Sequence, residues 1–159
     1  MRLHEIPLDN LTAEECALGG TAFGELIGVV EVEEAVALCT AFPGLELEIP
    51  AMESEGRPLA RPYKETHLRS RLRDLLSGPS YDRFLQRYHD TRAYFPSLKN
   101  IRIRRRDKLL QSKADALYVE LSAGRGQREG ALRNEVATLL AMEFGVSRSY
   151  AYRLMKKEA

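Results

Sequence analysis

Residues 134–157 read NEVATLLAMEFGVSRSYAYRLMKK, and the interpretation of this stretch decides the fold of the C-terminal part. Asn134 is a residue type that caps helices, and Val136, Leu139, Leu140 and Phe144 follow it at helical spacing. Gly145 offers the positive φ that lets a chain leave a helix cheaply. Val146 is placed to plug the gap between two helices, and Ser147 to cap the second by accepting a backbone amide bond. Ala141 is small where two helix backbones must approach closely. Ala151 and Leu154, three residues apart, give the second helix an inward stripe. Arg148, Ser149, Tyr152, Arg153 and Lys156 share its opposite face, followed by Lys157. Two short helices, a glycine turn and a basic outward face predict a helix-turn-helix. Such a face carries long donors for guanine edges and phosphates and a short hydroxyl for close approach. The bland alternative is a helical hairpin with a solvated basic face.

Immediately upstream lies SLKNIRIRRRDKLLQSKADALYVELSAG (97–124). Ile101 and Ile103 alternate with Arg102 and Arg104, which alone suggests a strand. The wider frame favours a helix over 100–122, because Ile103, Leu110, Ala114, Leu117 and Leu121 step by seven, four, three and four. Gly124 stops it, and the basic loop GRGQREGALR (124–133) leads to helices expected at 134–144 and 147–157. Lys99, Arg102, Arg104, Arg105, Arg106 and Lys108 crowd the start of the long helix. Cations there oppose the helix dipole, at about 0.3–1 kcal/mol each when exposed. They call for a counter-charge, which phosphates or acidic residues of the front region would supply.

The front of the chain carries a different pattern. LTAEECAL (11–18) has Thr12 ahead of Glu14 and Glu15, a helix-start arrangement. A helical pattern runs from Phe23 to Phe42 with a break near Gly28, and LELEIP (45–50) alternates as a half-buried strand does. AMESEGRPLARPYKETH (51–67) is polar with two prolines and reads as a linker or long loop. A shift of 46 residues then matches Leu38 to Phe84, Cys39 to Leu85, Phe42 to Tyr88, Ile49 to Phe95 and Pro50 to Pro96. Segments 23–50 and 70–96 are therefore a candidate duplication, whose strands would pair within one chain or between two. Tyr81, Phe84 and Tyr88 form an aromatic stripe better suited to a core or dimer interface than to base stacking.

Charge divides along the same line. Residues 1–56 hold one arginine against twelve acids, and residues 57–159 hold 23 cations against 11 acids. The front is thus at −11 and the remainder at +12, an asymmetry that suits a polyanion partner for the back. It also suits attraction between the two parts. The longest apolar block, AVALCTAF (35–42), is far short of the roughly 18 residues of a membrane span, and MRLHEIPLDN lacks signal-peptide regions. Cys16 and Cys39 are isolated, as expected in a reduced cytoplasm. His4, His67 and His89 share no metal-ligand spacing, and no nucleophile–base arrangement can be assembled. GRGQREG lacks phosphate-loop spacing and follows a helix. No metal, cofactor or enzymatic activity is expected.

The helix–strand–proline element ending in AYFPSLKN, the basic start IRIRRRDKLL and the stretch FGVSRSYAYRLM together resemble the Mor transcription activator family of Mu-like bacteriophages. The resemblance covers roughly residues 70–159, and 20–50 more weakly. It implies a dimer with an N-terminal dimerisation region and C-terminal helix-turn-helix units that binds a promoter and recruits host RNA polymerase. The duplicated helix–strand unit and the long loop at 124–133 depart from that pattern.

The resulting expectation is a mainly α protein with two parts. An N-terminal helical dimerisation region with short β-strands (1–97) precedes a C-terminal trihelical helix-turn-helix domain (98–159). Its function would be sequence-specific binding of double-stranded DNA by a homodimeric transcriptional regulator. Arg148, Ser149, Tyr152 and Arg153 would meet base edges, while Arg102, Arg104, Arg105, Arg106, Lys156 and Lys157 would mainly contact phosphate. Two units would sit about one helical turn apart on an imperfect palindrome. A repressor, an architectural DNA-binding protein and a helical protein–protein module remain the alternatives.

Overall fold

Short reciprocal caps start the first elements of the chain. Thr12 Oγ1 accepts from the Glu15 amide and the Glu15 carboxylate accepts from the Thr12 amide, a capping box that opens α1 (Ala13–Leu18). Gly20, at φ 84°, turns the chain directly into α2 (Gly20–Ile27). A break at Gly28 separates α2 from α3 (Val32–Ala41), as the sequence pattern indicates. The computed structural model describes residues 1–49, 62–123 and 128–156. After α3 come β1 (Leu45–Glu48), α4 (Pro62–Leu75), α5 (Gly78–Tyr88), β2 (Arg92–Phe95), α6 (Lys99–Ser122), α7 (Glu129–Phe144) and α8 (Arg148–Lys156). The fold is mainly helical with one small two-stranded sheet.

The chain divides into two compact units, Leu8–Leu98 and Met1–Pro7 with Lys99–Ala159. Residues 1–7 thus join the C-terminal unit, although the sequence pattern grouped them with the front. Within Leu8–Leu98 the offset of 46 residues recurs in the structure. The N-caps of α3 and α5 are Glu31 and Ser77, and their buried positions Ala35, Leu38 and Cys39 map onto Tyr81, Phe84 and Leu85. Upstream, buried Leu26 and Val30 map onto buried Leu72 and Leu76. The strands β1 and β2 pair antiparallel within the chain, Leu45 opposite Phe95 and Leu47 opposite Ala93. Ala93 is the 46-residue equivalent of Leu47, so the ladder runs about a local pseudo-twofold axis. Phe95 packs against Phe42 and Phe84 at ring distances of 5.5 and 6.3 Å, and Tyr88 against Phe84 at 4.9 Å. The aromatic stripe of α5 is core.

The two copies are also joined through their helix starts. Glu34 accepts from the Ser77 amide at 2.7 Å and from Ser80 Oγ, while Arg83 donates to the Val29 carbonyl at 2.9 Å. Ser80 is the 46-residue equivalent of Glu34. Arg83 also lies 3.9 Å from Glu31, and Arg92 3.5 Å from Glu48. Acids of the first copy meet cations of the second, so part of the charge asymmetry is spent inside this unit.

Two further boundaries differ from the sequence pattern. The segment 51–67 was expected to be a linker, but α4 begins at Pro62, where proline's missing amide costs a helix nothing. Asn134 was expected to cap a helix at 134–144. Instead α7 starts five residues earlier, after Arg128, and Asn134 lies inside it with its carbonyl accepting from Thr138 Oγ1 at 2.9 Å. Leu132, also buried, extends the apolar stripe backward past the apparent cap. Pro50, residues 51–61, Gly124, Arg125, Gly126, Gln127 and Lys157 lie outside the described residues.

Candidate nucleic-acid interface

The core of the second unit fixes how its three helices meet. Leu110 and Ala114 of α6, Val136, Ala137, Leu140 and Phe144 of α7, and Ala151 and Leu154 of α8 form one buried cluster. Val146 and Ala141 pack against it at the turn. Gly145 adopts φ 64° and ψ 36°, the left-handed conformation that ends α7, and the amides of Gly145 and Val146 both reach the Ala141 carbonyl. Ser147 Oγ accepts from the Tyr150 amide at 3.1 Å and the Ser147 carbonyl from the Ala151 amide at 3.0 Å, which starts α8. Glycine, apolar plug and serine cap therefore set the exit from α7 and the entry to α8.

Burying Ala151 and Leu154 turns the opposite side of α8 outward. Arg148, Ser149, Arg153 and Lys156 are exposed, and Tyr152 is half-buried. Lys156 Nζ lies 5.1 Å from the Tyr152 ring centroid, a cation–π contact. Tyr152, Met155 and Lys156 line one side of a shallow cavity whose other side includes Tyr118, Glu129 and Arg133. The five described residues expected to face a duplex lie on one side of α8, with Tyr152 set deeper than the rest.

The arginines at the start of α6 divide into different roles. Arg102 Nη1 donates to the carbonyls of His4 at 3.1 Å and Ile6 at 2.7 Å, and burial pushes its pKa down. Arg105 Nη1 donates to the Pro7 carbonyl at 2.9 Å. These bonds hold the N-terminal segment, including buried Ile6, against α6. Arg106 pairs with Asp107 at 2.9 Å, with both side chains largely buried. Arg104 is exposed.

Tyr150 is the residue at this site that sequence reasoning missed. Its hydroxyl donates to Asp107 Oδ2 at 2.7 Å and accepts from Arg106 Nη2 at 3.2 Å. Two guanidinium groups lie over its ring, Arg106 at 5.2 Å and Arg153 at 5.3 Å from the centroid. Burial and the Asp107 carboxylate both push its phenol pKa up. Gln111 Nε2 adds a bond to the Leu154 carbonyl at 3.3 Å, satisfying a last-turn acceptor of α8. Side chains of α6 thus fix the rotation of α8 about its axis, and Tyr150 of α8 itself seats the Arg153 guanidinium. The available signal was Asp107, a lone acid within a run of cations.

No group of three or more His, Cys, Asp and Glu side chains suited to a metal ion occurs among the described residues. No described helix is long and apolar enough to cross a membrane. Comparison with protein-family models, curated proteins and solved structures finds no match to this chain.

Proposed function

We propose that the chain is a sequence-specific, non-enzymatic DNA-binding regulator in which α7 and α8 act as a helix-turn-helix. The observation that carries this reading is the outward face of α8, where Arg148, Ser149, Arg153 and Lys156 are exposed while Ala151 and Leu154 anchor the helix. A face of donors on a short, capped helix fits the major groove, with Arg148 and Arg153 suited to guanine edges and Lys156 to phosphate. Arg104 adds a phosphate contact at the start of α6. The second unit, Met1–Pro7 with Lys99–Ala159, holds 15 cations against 8 acids, which favours a polyanion.

The resemblance to Mor activators extends the proposal to a homodimer on a promoter palindrome, acting in the cytoplasm and recruiting host RNA polymerase. A repressor would use the same reading helix. Enrichment of random duplexes on the purified protein tests the proposal. It is expected to yield a bipartite, palindromic site whose binding falls steeply with salt. Absence of duplex binding at low salt would reject it in favour of a protein–protein module.

A further inference from the structure

Beside the buried cluster of the C-terminal unit, α6, α7 and α8 part and leave a cavity of about 210 Å³ between them. Buried Ala114 of α6 lines it, and so small a side chain leaves the space unfilled. Tyr118 of α6 and Tyr152 and Met155 of α8, all half-buried, give it aromatic and thioether walls. Pockets for drug-sized ligands enclose about 300–1,000 Å³. This cavity falls short of that range, so it suits one ring system with a short arm.

Charge narrows the ligand further. Four charged side chains border the cavity, and three of them are already engaged. Arg133 pairs with Glu129 at 2.8 Å, and Lys156 lies 5.1 Å from the Tyr152 ring centroid. Asp115 makes no hydrogen bond or ion pair among the described residues, and it shares a face of α6 with Tyr118, one turn on. The cavity also meets the last turn of α8, the negative end of that helix's dipole. An unpaired carboxylate, two π faces and a helix C-terminus all favour a cation. Lys156 is exposed and yields the Tyr152 face to water at little cost, since a cation–π contact at an exposed site is weak.

We propose that this cavity is a binding site for a small aromatic amine, its ring seated between Tyr118 and Tyr152 and its ammonium group donating to the Asp115 carboxylate. The site goes beyond the DNA reading and does not depend on it.

Nuclear magnetic resonance titration of the full chain with tryptamine, without DNA, tests it. The chain has no tryptophan, so every indole proton signal belongs to the probe. Tryptamine is expected to bind saturably with a Kd of about 1 mM or tighter, and its indole protons to show Overhauser contacts with the Tyr118 and Tyr152 rings. The uncharged 3-methylindole and the anionic indole-3-acetate keep the ring and change the charge, and both should bind about tenfold more weakly. Asp115→Asn, at an exposed position, should weaken tryptamine about tenfold with unchanged circular dichroism and unchanged binding of 3-methylindole. Absence of saturable tryptamine binding at millimolar concentration overturns the inference. Tryptamine binding that survives Asp115→Asn overturns it too. Preference for indole-3-acetate would likewise overturn it, by assigning the charge contact to Lys156 or Arg133. With no DNA in the sample, none of these outcomes bears on the DNA proposal.

Discussion

Glu34 shows how one carboxylate ties two halves of a unit together. Burial alone would raise its pKa, but hydrogen bonds from Ser80 Oγ and from the amides of Ser77 and Glu31 outweigh that and hold it below the ordinary value. A depressed carboxylate pKa stabilises the fold above the unfolded value of about 4.3, and that stability is lost as pH falls through the lower folded value. Stability against urea should therefore fall on acidification below about pH 4.3 in the wild type. Glu34→Gln should flatten that acid limb, and an unchanged limb would show that Glu34 does not link the copies. Arg102 and Arg153 invite a paired comparison at the same scale. Arg102→Ala removes the donor to the His4 and Ile6 carbonyls and should cost about 1–2 kcal/mol of stability. Its effect on base preference should be nil. Arg153→Ala should leave stability nearly intact, cost about 1–3 kcal/mol of specific binding and relax preference at one base position. Interchanged outcomes would overturn the division of roles drawn between these two arginines.

Among the elements, the turn between α7 and α8 is the sharpest case of local chemistry deciding geometry. A Cβ at Gly145 would meet nothing within 4 Å, so the cost of substitution there lies in the backbone, at φ 64°. Gly145→Ala should destabilise the chain by about 1–2 kcal/mol, and Gly145→Asn by less, because asparagine tolerates the left-handed region. Equal stability of all three, measured in urea, would mean that the turn conformation is not required. The glycine, the Ser147 cap and the inward Ala151 and Leu154 were legible because each is a local signal: a backbone preference, a side-chain acceptor, a period. The start of α7 was not. Asn134 is a residue suited to a cap, but Val136 packs in one cluster with Leu110 and Ala114 and Leu132 is buried one turn before it, so tertiary burial overrides the cap. The long helix α6 was legible over 100–122 from its apolar steps, whereas the use of Arg102 and Arg105 was not. Their partners are backbone carbonyls nearly a hundred residues away, which no spacing along the chain can indicate. Tyr150 escaped for a related reason, since its role depends on Asp107 across the core.

For the whole molecule, the charge division becomes clearer when counted by compact unit. Leu8–Leu98 holds 9 cations against 15 acids, and the remainder 15 against 8, so the units stand at −6 and +7. A polyanion should meet only the second. Sequence alone places eight charged residues at the duplex: Arg148, Arg153, Lys156, Lys157, Arg102, Arg104, Arg105 and Arg106. On random duplex, where no base pattern is read, all eight count as phosphate contacts and give a slope of log K against log salt of about −7. In the structure Arg102 and Arg105 hold the N-terminal segment and Arg106 holds Asp107 and Tyr150. The other five are Arg148, Arg153, Lys156 and Arg104, which are exposed, and Lys157, outside the described residues; about five contacts per chain correspond to a slope near −4.5. A salt titration on random duplex, with binding expressed per chain, separates the two values. A slope near −7 would show that the α6 arginines leave their internal partners to bind phosphate. A slope near −4.5 that is unchanged by Arg105→Ala and falls by about one unit with Lys156→Ala would assign the electrostatic contact to α8.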